Sequence, residues 1–285
     1  MDVFLIGDIG YRLINNLDNE AEESSVVART AWWKIQVQRV NLVEEASSLI
    51  KKLSWHTREE EKEDAINKLQ YIKDEALHLL VQPISKDYWD GAAETVIRLG
   101  YPRVKSILPG LLEWIQDLNW PGAGEIAGFL LEIGDPMIPY VKDVLNQHSD
   151  DQEWVYWIFE KLIDHWNTKQ VQQIQAELIK ISQEKANDLS ALRILLTHGI
   201  YAKDVVCEII QHKKDVLVFE LKELHDTHLE IDCEALHKEF LNQQPNVIKQ
   251  FHEHNKDRFY ICNAISNRQE VLREIEIFTA EFLTS

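Results

Sequence analysis

The sequence predicts an all-α chain, a right-handed α-solenoid of stacked antiparallel helix pairs, and three observations lead there. Only 10 glycines and 7 prolines occur in 285 residues, while Leu, Ile, Glu, Lys and Gln abound, a balance that favours helices over turn-rich sheet. Four tryptophans, Trp55, Trp89, Trp120 and Trp154, follow one another at spacings of 34, 31 and 34, each near the start of an amphipathic run. At an offset of 34, Gly100, Pro102 and Val104 fall on Gly134, Pro136 and Ile138, Ile107 falls on Val141, and Leu111 falls on Leu145. Five matches at one offset make a repeat.

Taken in order, residues 1–50 are expected to supply two helices, with Val26 to Leu49 the more regular. The first repeat, Ser54 to Val81, opens on a charged helix (Arg58 to Asp64) that turns apolar at Ala65, Ile66 and Leu69. The second, Lys86 to Asp117, carries Ala92, Ala93, Val96, Ile97 and Leu99 on one helix. Val104, Ile107, Leu108, Leu111, Leu112 and Ile115 lie on the next, where Pro109 is expected to cause a kink. In the third, Trp120-Pro121 opens a helix with proline in the first turn. Ala123, Ile126, Ala127, Leu130 and Leu131 form its apolar face, and Gly134 ends it in a left-handed conformation. The partner helix buries Ile138, Val141, Val144 and Leu145. Small residues at Ala123, Gly124, Ala127 and Gly128 are expected to admit a neighbouring helix closely. The fourth repeat begins at Asp151, with Trp154, Tyr156, Trp157, Phe159 and Leu162 before a helix over Val171 to Ile181. Further helices are expected near 188–198, 202–211, 214–225, 232–242, 244–252 and 267–283. The organisation read from this is an N-terminal helical cap (1–53), repeats (54–184) and a C-terminal helical region continuing the stack (185–285). A helix pair of about 30 residues cannot bury its apolar face alone, so it must stack on its neighbours.

The central residues also carry a signature: Ile107, Leu108, Pro109, Leu111, Leu112, Glu113, Trp114, Gln116, Asp117, Asn119, Trp120 and Pro121, with Ile138-Pro139 and Trp154, Tyr156 and Trp157 downstream. Residues 85–165 thereby resemble HEAT-type α-solenoid repeats. More closely, they resemble a small bacterial family of uncharacterised HEAT-like domains with an ILPxLLEWxQDxNWP signature. The resemblance implies a fold and carries no activity with it.

Charge restricts function. With 30 basic residues against 48 acidic, the formal net charge is −18. Direct nucleic-acid binding relies on Lys and Arg against phosphate, so it is not expected. HEAT-like DNA glycosylases would need a basic stripe, and Arg98, Arg103 and Lys105 are too few to form one. A HEAT-like nucleic-acid-processing enzyme is therefore the weakest alternative. Cys207, Cys233 and Cys262 form no CxxC and are expected to be reduced thiols. Between Met1 and Gly10 only Val3 to Ile6 are consecutively apolar, flanked by Asp2 and Asp8, without the basic start and long apolar run of a signal peptide. No membrane span is expected, and a cytoplasmic protein follows.

Catalytic and cofactor chemistry finds no motif. His225 and His228, His252 and His254, and Cys233 with His237 one turn apart could each offer metal ligands, but nothing in their spacing gathers four. HExxH, GxSxG and GxxxxGK[ST] are all absent, and Pro121-Gly-Ala-Gly124 has no preceding strand to make it a phosphate loop. No enzyme activity, cofactor or metal site is expected. The spaced tryptophans are expected to fill the core, whereas Trp114, Trp157, Trp32 and Trp33 cannot all face inward, and those left outside are candidate interface anchors. Asp87, Asp90, Asp117, Asp150 and Asp151 all lie just before or at the start of a repeat's first helix. There they suit N-caps and the positive end of the helix dipole, and they are also candidate partner-binding residues along one acidic rim. The expected function is non-catalytic protein binding to a basic partner, an immunity-type or neutralising protein being its sharper form, with a structural adaptor or assembly subunit as the alternative. The oligomeric state is left open.

Overall fold

Left-handed backbone is available without strain only to glycine, and two glycines 34 residues apart use it in the same way. Gly100 (φ 69°) and Gly134 (φ 71°) each end a helix, donating N–H to the carbonyls of Val96 and Leu131. The computed structural model describes residues 23–183 and 188–284, and every regular element among them is helical. No helix of the described residues is long and apolar enough to cross a membrane. The chain divides into two compact units, Met1–Phe129 and Leu130–Ser285.

In the first unit, α1 (Glu23–Ile50) packs on α2 (Glu59–Leu69), on the 3-10 turn Lys51–Leu53 and on the 3-10 stretch Asp74–Leu80. The helix expected over Val26 to Leu49 is present; the second one expected in residues 1–50 falls outside the described residues. The charged start of α2 stays exposed while Ala65, Ile66 and Leu69 are buried, as their spacing predicts. Helix α3 (Trp89–Leu99) buries Ala92, Ala93 and Val96. After the 3-10 turn Arg103–Ile107 comes α4 (Leu108–Trp114), and Val104, Ile107, Leu108, Leu111, Leu112 and Ile115 are all buried.

Three sequence expectations are corrected here. Pro109 does not kink a helix: it sits in the first turn of α4, where its missing N–H breaks no hydrogen bond, and the preceding segment is 3-10. Pro121 does not open the third helix, because α5 (Ala123–Ile133) begins two residues later, after Gly122 in left-handed conformation (φ 73°). Nor do Gly124 and Gly128 serve close approach, since a Cβ on either would meet open space. That role belongs to Gly91, where an added Cβ would stand 2.8 Å from the Leu53 Cβ and 2.9 Å from its carbonyl oxygen. Gly91→Val is accordingly expected to cost about 2–3 kcal/mol by overpacking, read from urea unfolding. A loss below about 0.5 kcal/mol would mean the Leu53 backbone yields freely.

The second unit holds α6 (Ile138–Gln147), α7 (Gln152–Lys161), α8 (Thr168–Gln173), α9 (Gln175–Ser182) and α10 (Asp188–Thr197). Ile138, Val141, Val144 and Leu145 of α6 are buried as expected. Asn167 and Gln170 form a reciprocal capping box at the start of α8. Next, α11 (Lys203–Thr227) runs through the break expected near 212, because His212-Lys-Lys214 contains nothing that interrupts a helix. It packs against α14 (Lys256–Phe278), which starts well before the expected 267, and their core with α10 is Leu192, Val206, Ile210, Ile275 and Phe278. Between them lie α12 (Cys233–Leu241) and α13 (Ile248–His254), whose Phe240 and Phe251 meet Phe259 edge-on.

The expectation of three reduced thiols is also corrected. Cys233 and Cys262 are joined as a disulfide, because α12 and α14 run side by side with the two Cα atoms 5.5 Å apart. Cys207 is free and exposed.

Within each unit, side-chain hydrogen bonds recur between residues 29 to 35 apart in sequence. Ser54 reaches Asp87 at a separation of 33 and Arg98 reaches Glu63 at 35. Asn146 reaches Glu177 at 31, Gln170 reaches Asp135 at 35, and Arg193 reaches Asp164 at 29.

Candidate acidic binding edge

The segment Ser54-Trp55 is tied to the start of α3, and two of the five predicted aspartates do the tying. The Ser54 hydroxyl donates to one Asp87 oxygen at 2.7 Å, Ser85 donates to the other, and the Trp55 N–H meets the Asp87 carbonyl at 3.1 Å. The Trp55 indole N–H donates to Asp90 Oδ2 at 2.6 Å. Those bonds leave the Trp55 ring 57% exposed, so it does not fill the core as its spacing predicted. Trp89 and Trp154 are buried as expected, and Trp120 is half-buried against Trp89.

Beyond Asp90 the surface hollows into a cleft of about 320 Å³ lined by Asp90, Glu94, Ile97, Arg98 and Glu125. Three carboxylates face one guanidinium there, and that guanidinium is already engaged. Arg98 donates to both oxygens of Glu63 at 2.7 and 2.9 Å and to Glu94 at 2.5 Å, holding the Glu63 carboxyl below its ordinary range. Arg103 is likewise turned inward, onto the carbonyls of Gln70 and Ile72. Lys86 lies 5.5 Å from the ring centroids of both Trp89 and Trp120.

The hydrogen bonds from Ser54 and Ser85, and to a lesser degree the charge of His56, hold Asp87 below the ordinary carboxylate value of 3.8. A group with a depressed folded pKa stabilises the fold fully above its unfolded pKa, and that contribution is lost as pH falls through the folded value. The stability difference between the native chain and Asp87→Asn should therefore shrink on acidification below 3.8, as measured by urea titrations at successive pH values. A pH-independent difference would show that Asp87 contributes only as a neutral acceptor.

The other three aspartates stand apart from this pair. Asp117 accepts from the Asn119 backbone N–H at 2.8 Å and from its amide at 2.9 Å, closing its own turn. Asp151 is the N-cap of α7 and accepts from the Trp154 N–H at 3.1 Å, and Asp150 beside it is exposed. Both belong to the second unit. Of the five, then, one is an N-cap, and Asp87 and Asp90 alone share a bonded segment.

Glu94, Glu125 and the surface role of Trp55 are missing from the sequence prediction, where Glu63 figures only within the charged run Arg58 to Asp64 and Arg98 only as an isolated basic residue. The repeat length could have found part of this, because Trp55–Asp90 and Glu63–Arg98 are each separated by 35 residues. Of the tryptophans expected to compete for the interior, Trp114 is fully buried, Trp157 is half-buried, and both Trp32 and Trp33 are exposed. The Cys233 thiolate considered for a metal is taken by the disulfide, and His252 stacks on Phe259 at 5.1 Å. Among the described residues no group of three or more His, Cys, Asp or Glu is gathered for a metal ion.

A family model described as a domain of unknown function (DUF5071) matches residues 84–194, which run from the segment before α3 into α10. Neither the curated proteins nor the solved structures gave a match.

Proposed function

We propose that this chain is a non-catalytic binding protein of HEAT-like helix pairs that holds a basic protein partner against the cleft of Asp90, Glu94 and Glu125. The observation carrying this reading is the cleft itself, with three carboxylates around one guanidinium that Glu63 and Glu94 already engage. Trp55 beside it supplies an exposed aromatic surface whose ring is fixed by Asp90, the kind of rigid anchor on which binding energy concentrates. A net charge of −18 favours encounter with a cationic surface and accelerates association at low salt. An immunity-type protein neutralising a basic toxin is the sharpest form of the reading. Hydrogen bonds between residues 29 to 35 apart support the stacking of successive helix pairs.

The test is capture of partner from the native cell at low and at high salt, followed by titration of the captured protein into the Asp90→Asn/Glu94→Gln/Glu125→Gln variant. One basic protein released by salt, and bound at least about tenfold more weakly by the variant, is the expected result. Equal affinity for the variant would remove this cleft from the interface.

A second reading, a self-associating adaptor, has Trp32 and Trp33 exposed on α1 in its favour. It predicts a concentration-dependent assembly that is insensitive to salt and is lost in Trp32→Ala/Trp33→Ala, measured by sedimentation.

A further inference from the structure

The second unit contains a larger cavity, of about 510 Å³, between α7, α10, α14 and the C-terminal turn Thr279–Leu283. Leu189, Val271, Phe278 and Phe282 give it apolar walls, and Glu274 and Glu281, seven residues apart on one helical face, add carboxylates. The other charges at its edge are satisfied within the unit. Asp188 is paired with Lys213 at 2.8 Å, and one Arg193 nitrogen donates to both Asp164 oxygens at 2.7 Å. Neither Glu274 nor Glu281 has an ion-pair partner among the described residues. Partial burial first, then the charges of Glu270 and Asp188, push the Glu274 carboxyl above its ordinary range.

We propose that this cavity receives a lysine or arginine side chain of a partner polypeptide, its methylene stem on Val271, Phe278 and Phe282 and its cationic head against Glu274 and Glu281. The proposal rests on the reading of the chain as a binder of a basic protein, to which it adds a second contact of defined chemistry. Long cationic side chains combine an apolar stem with a charged tip, and this cavity offers both surfaces together. Among the described lining residues the one cation, Arg193, is turned onto Asp164, so the lining favours a cation over a free anion.

Nα-acetyl-lysine methylamide is the probe, titrated into the isotope-labelled full chain and followed by amide chemical shifts. Two controls divide the ligand: the norleucine analogue has the stem without the charge, and ammonium has the charge without the stem. The expected result is shifts confined to α7, α10, α14 and the C-terminal turn, with either control binding at least about tenfold more weakly. Glu274→Gln/Glu281→Gln should weaken the lysine probe by a similar factor, while Asp90→Asn/Glu94→Gln/Glu125→Gln leaves it unchanged. Thermal melts of the double variant establish that it is folded. The proposal is overturned by absence of lysine-probe binding, by equal binding of the norleucine analogue, or by unchanged binding in the folded double variant. Failure here would leave the cleft at Asp90 standing, since the captured partner is tested there with different substitutions. Loss of partner binding at Asp90 alone would conversely leave the cavity's preference for a cationic stem intact.

Discussion

Trp114→Ala is expected to destabilise the first unit by about 3–5 kcal/mol, the largest effect of any single substitution considered. The side chain is fully buried, its ring lies 5.6 Å from that of Trp89 at 73°, and its indole N–H donates to the Pro121 carbonyl at 3.0 Å. Truncation would leave a cavity beside the Trp89 ring, in a segment where Leu108, Leu111, Leu112 and Ile115 are also buried. It would also deprive the Pro121 carbonyl of its donor just before the left-handed Gly122, where an added Cβ would meet Ala93 at 2.7 Å. Trp114→Phe separates the two contributions. It keeps most of the ring contact and loses the hydrogen bond, so a cost of about 1–2 kcal/mol is expected from urea unfolding. If alanine costs no more than phenylalanine, packing around Trp114 is not what holds this region.

Cys233→Ser is expected to cost about 3–4 kcal/mol, from the chain entropy that a cross-link over 29 residues removes from the unfolded state. The clipped segment contains α12 and α13, most of whose residues are exposed; Leu236 and Asn255 are the buried exceptions. With few deeply buried side chains, its order relies on the cross-link and on the contacts of Phe240, Phe251 and His252 with Phe259. A reducing agent should lower the stability of the native chain by the same amount and leave Cys233→Ser unaffected. Alkylation under denaturing conditions gives an independent readout, labelling Cys207 alone before reduction and all three cysteines after it. Three labelled cysteines without reduction would mean that the bond does not form.

What was legible in the sequence follows from what has a period. The apolar faces of α2, α3 and α6 were readable because burial on one side of a helix imposes a 3.6-residue rhythm, and Ala65, Ile66, Leu69, Val96, Val141 and Leu145 keep it. The helix end at Gly134 was readable because only glycine accepts that backbone at no cost, and Gly100, its match at an offset of 34, ends a helix too. The disulfide was not, since two cysteines 29 residues apart reveal nothing until α12 and α14 are known to be neighbours. Helix α11 was divided in two because a run of polar residues resembles a break when its exposure is unknown.

The binding edge was half legible. Asp87 and Asp90 stand out as acids before a helix, yet their roles depend on Ser54 and Trp55, which reach them from 33 and 35 residues away, and on Ser85 two residues before Asp87. The same regular spacing that marks Trp55 as a core residue by analogy with Trp89 and Trp154 conceals its exposure. A terminal position in a series meets different neighbours from an internal one, and a sequence period cannot register that difference.

The crossed indoles of the first unit have an optical consequence. Trp89 stands 5.6 Å from Trp114 and 5.7 Å from Trp120, inclined to them by 73° and 77°. Transition dipoles that close and that skewed couple into delocalised excitations with strong rotational strength, which parallel or distant chromophores lack. These three indoles are therefore expected to add an unlabelled contribution to the aromatic dichroism of the chain. The difference between the native chain and Trp114→Phe isolates that contribution, so melting around Trp89 can be followed apart from the amide signal, which sums over every helix.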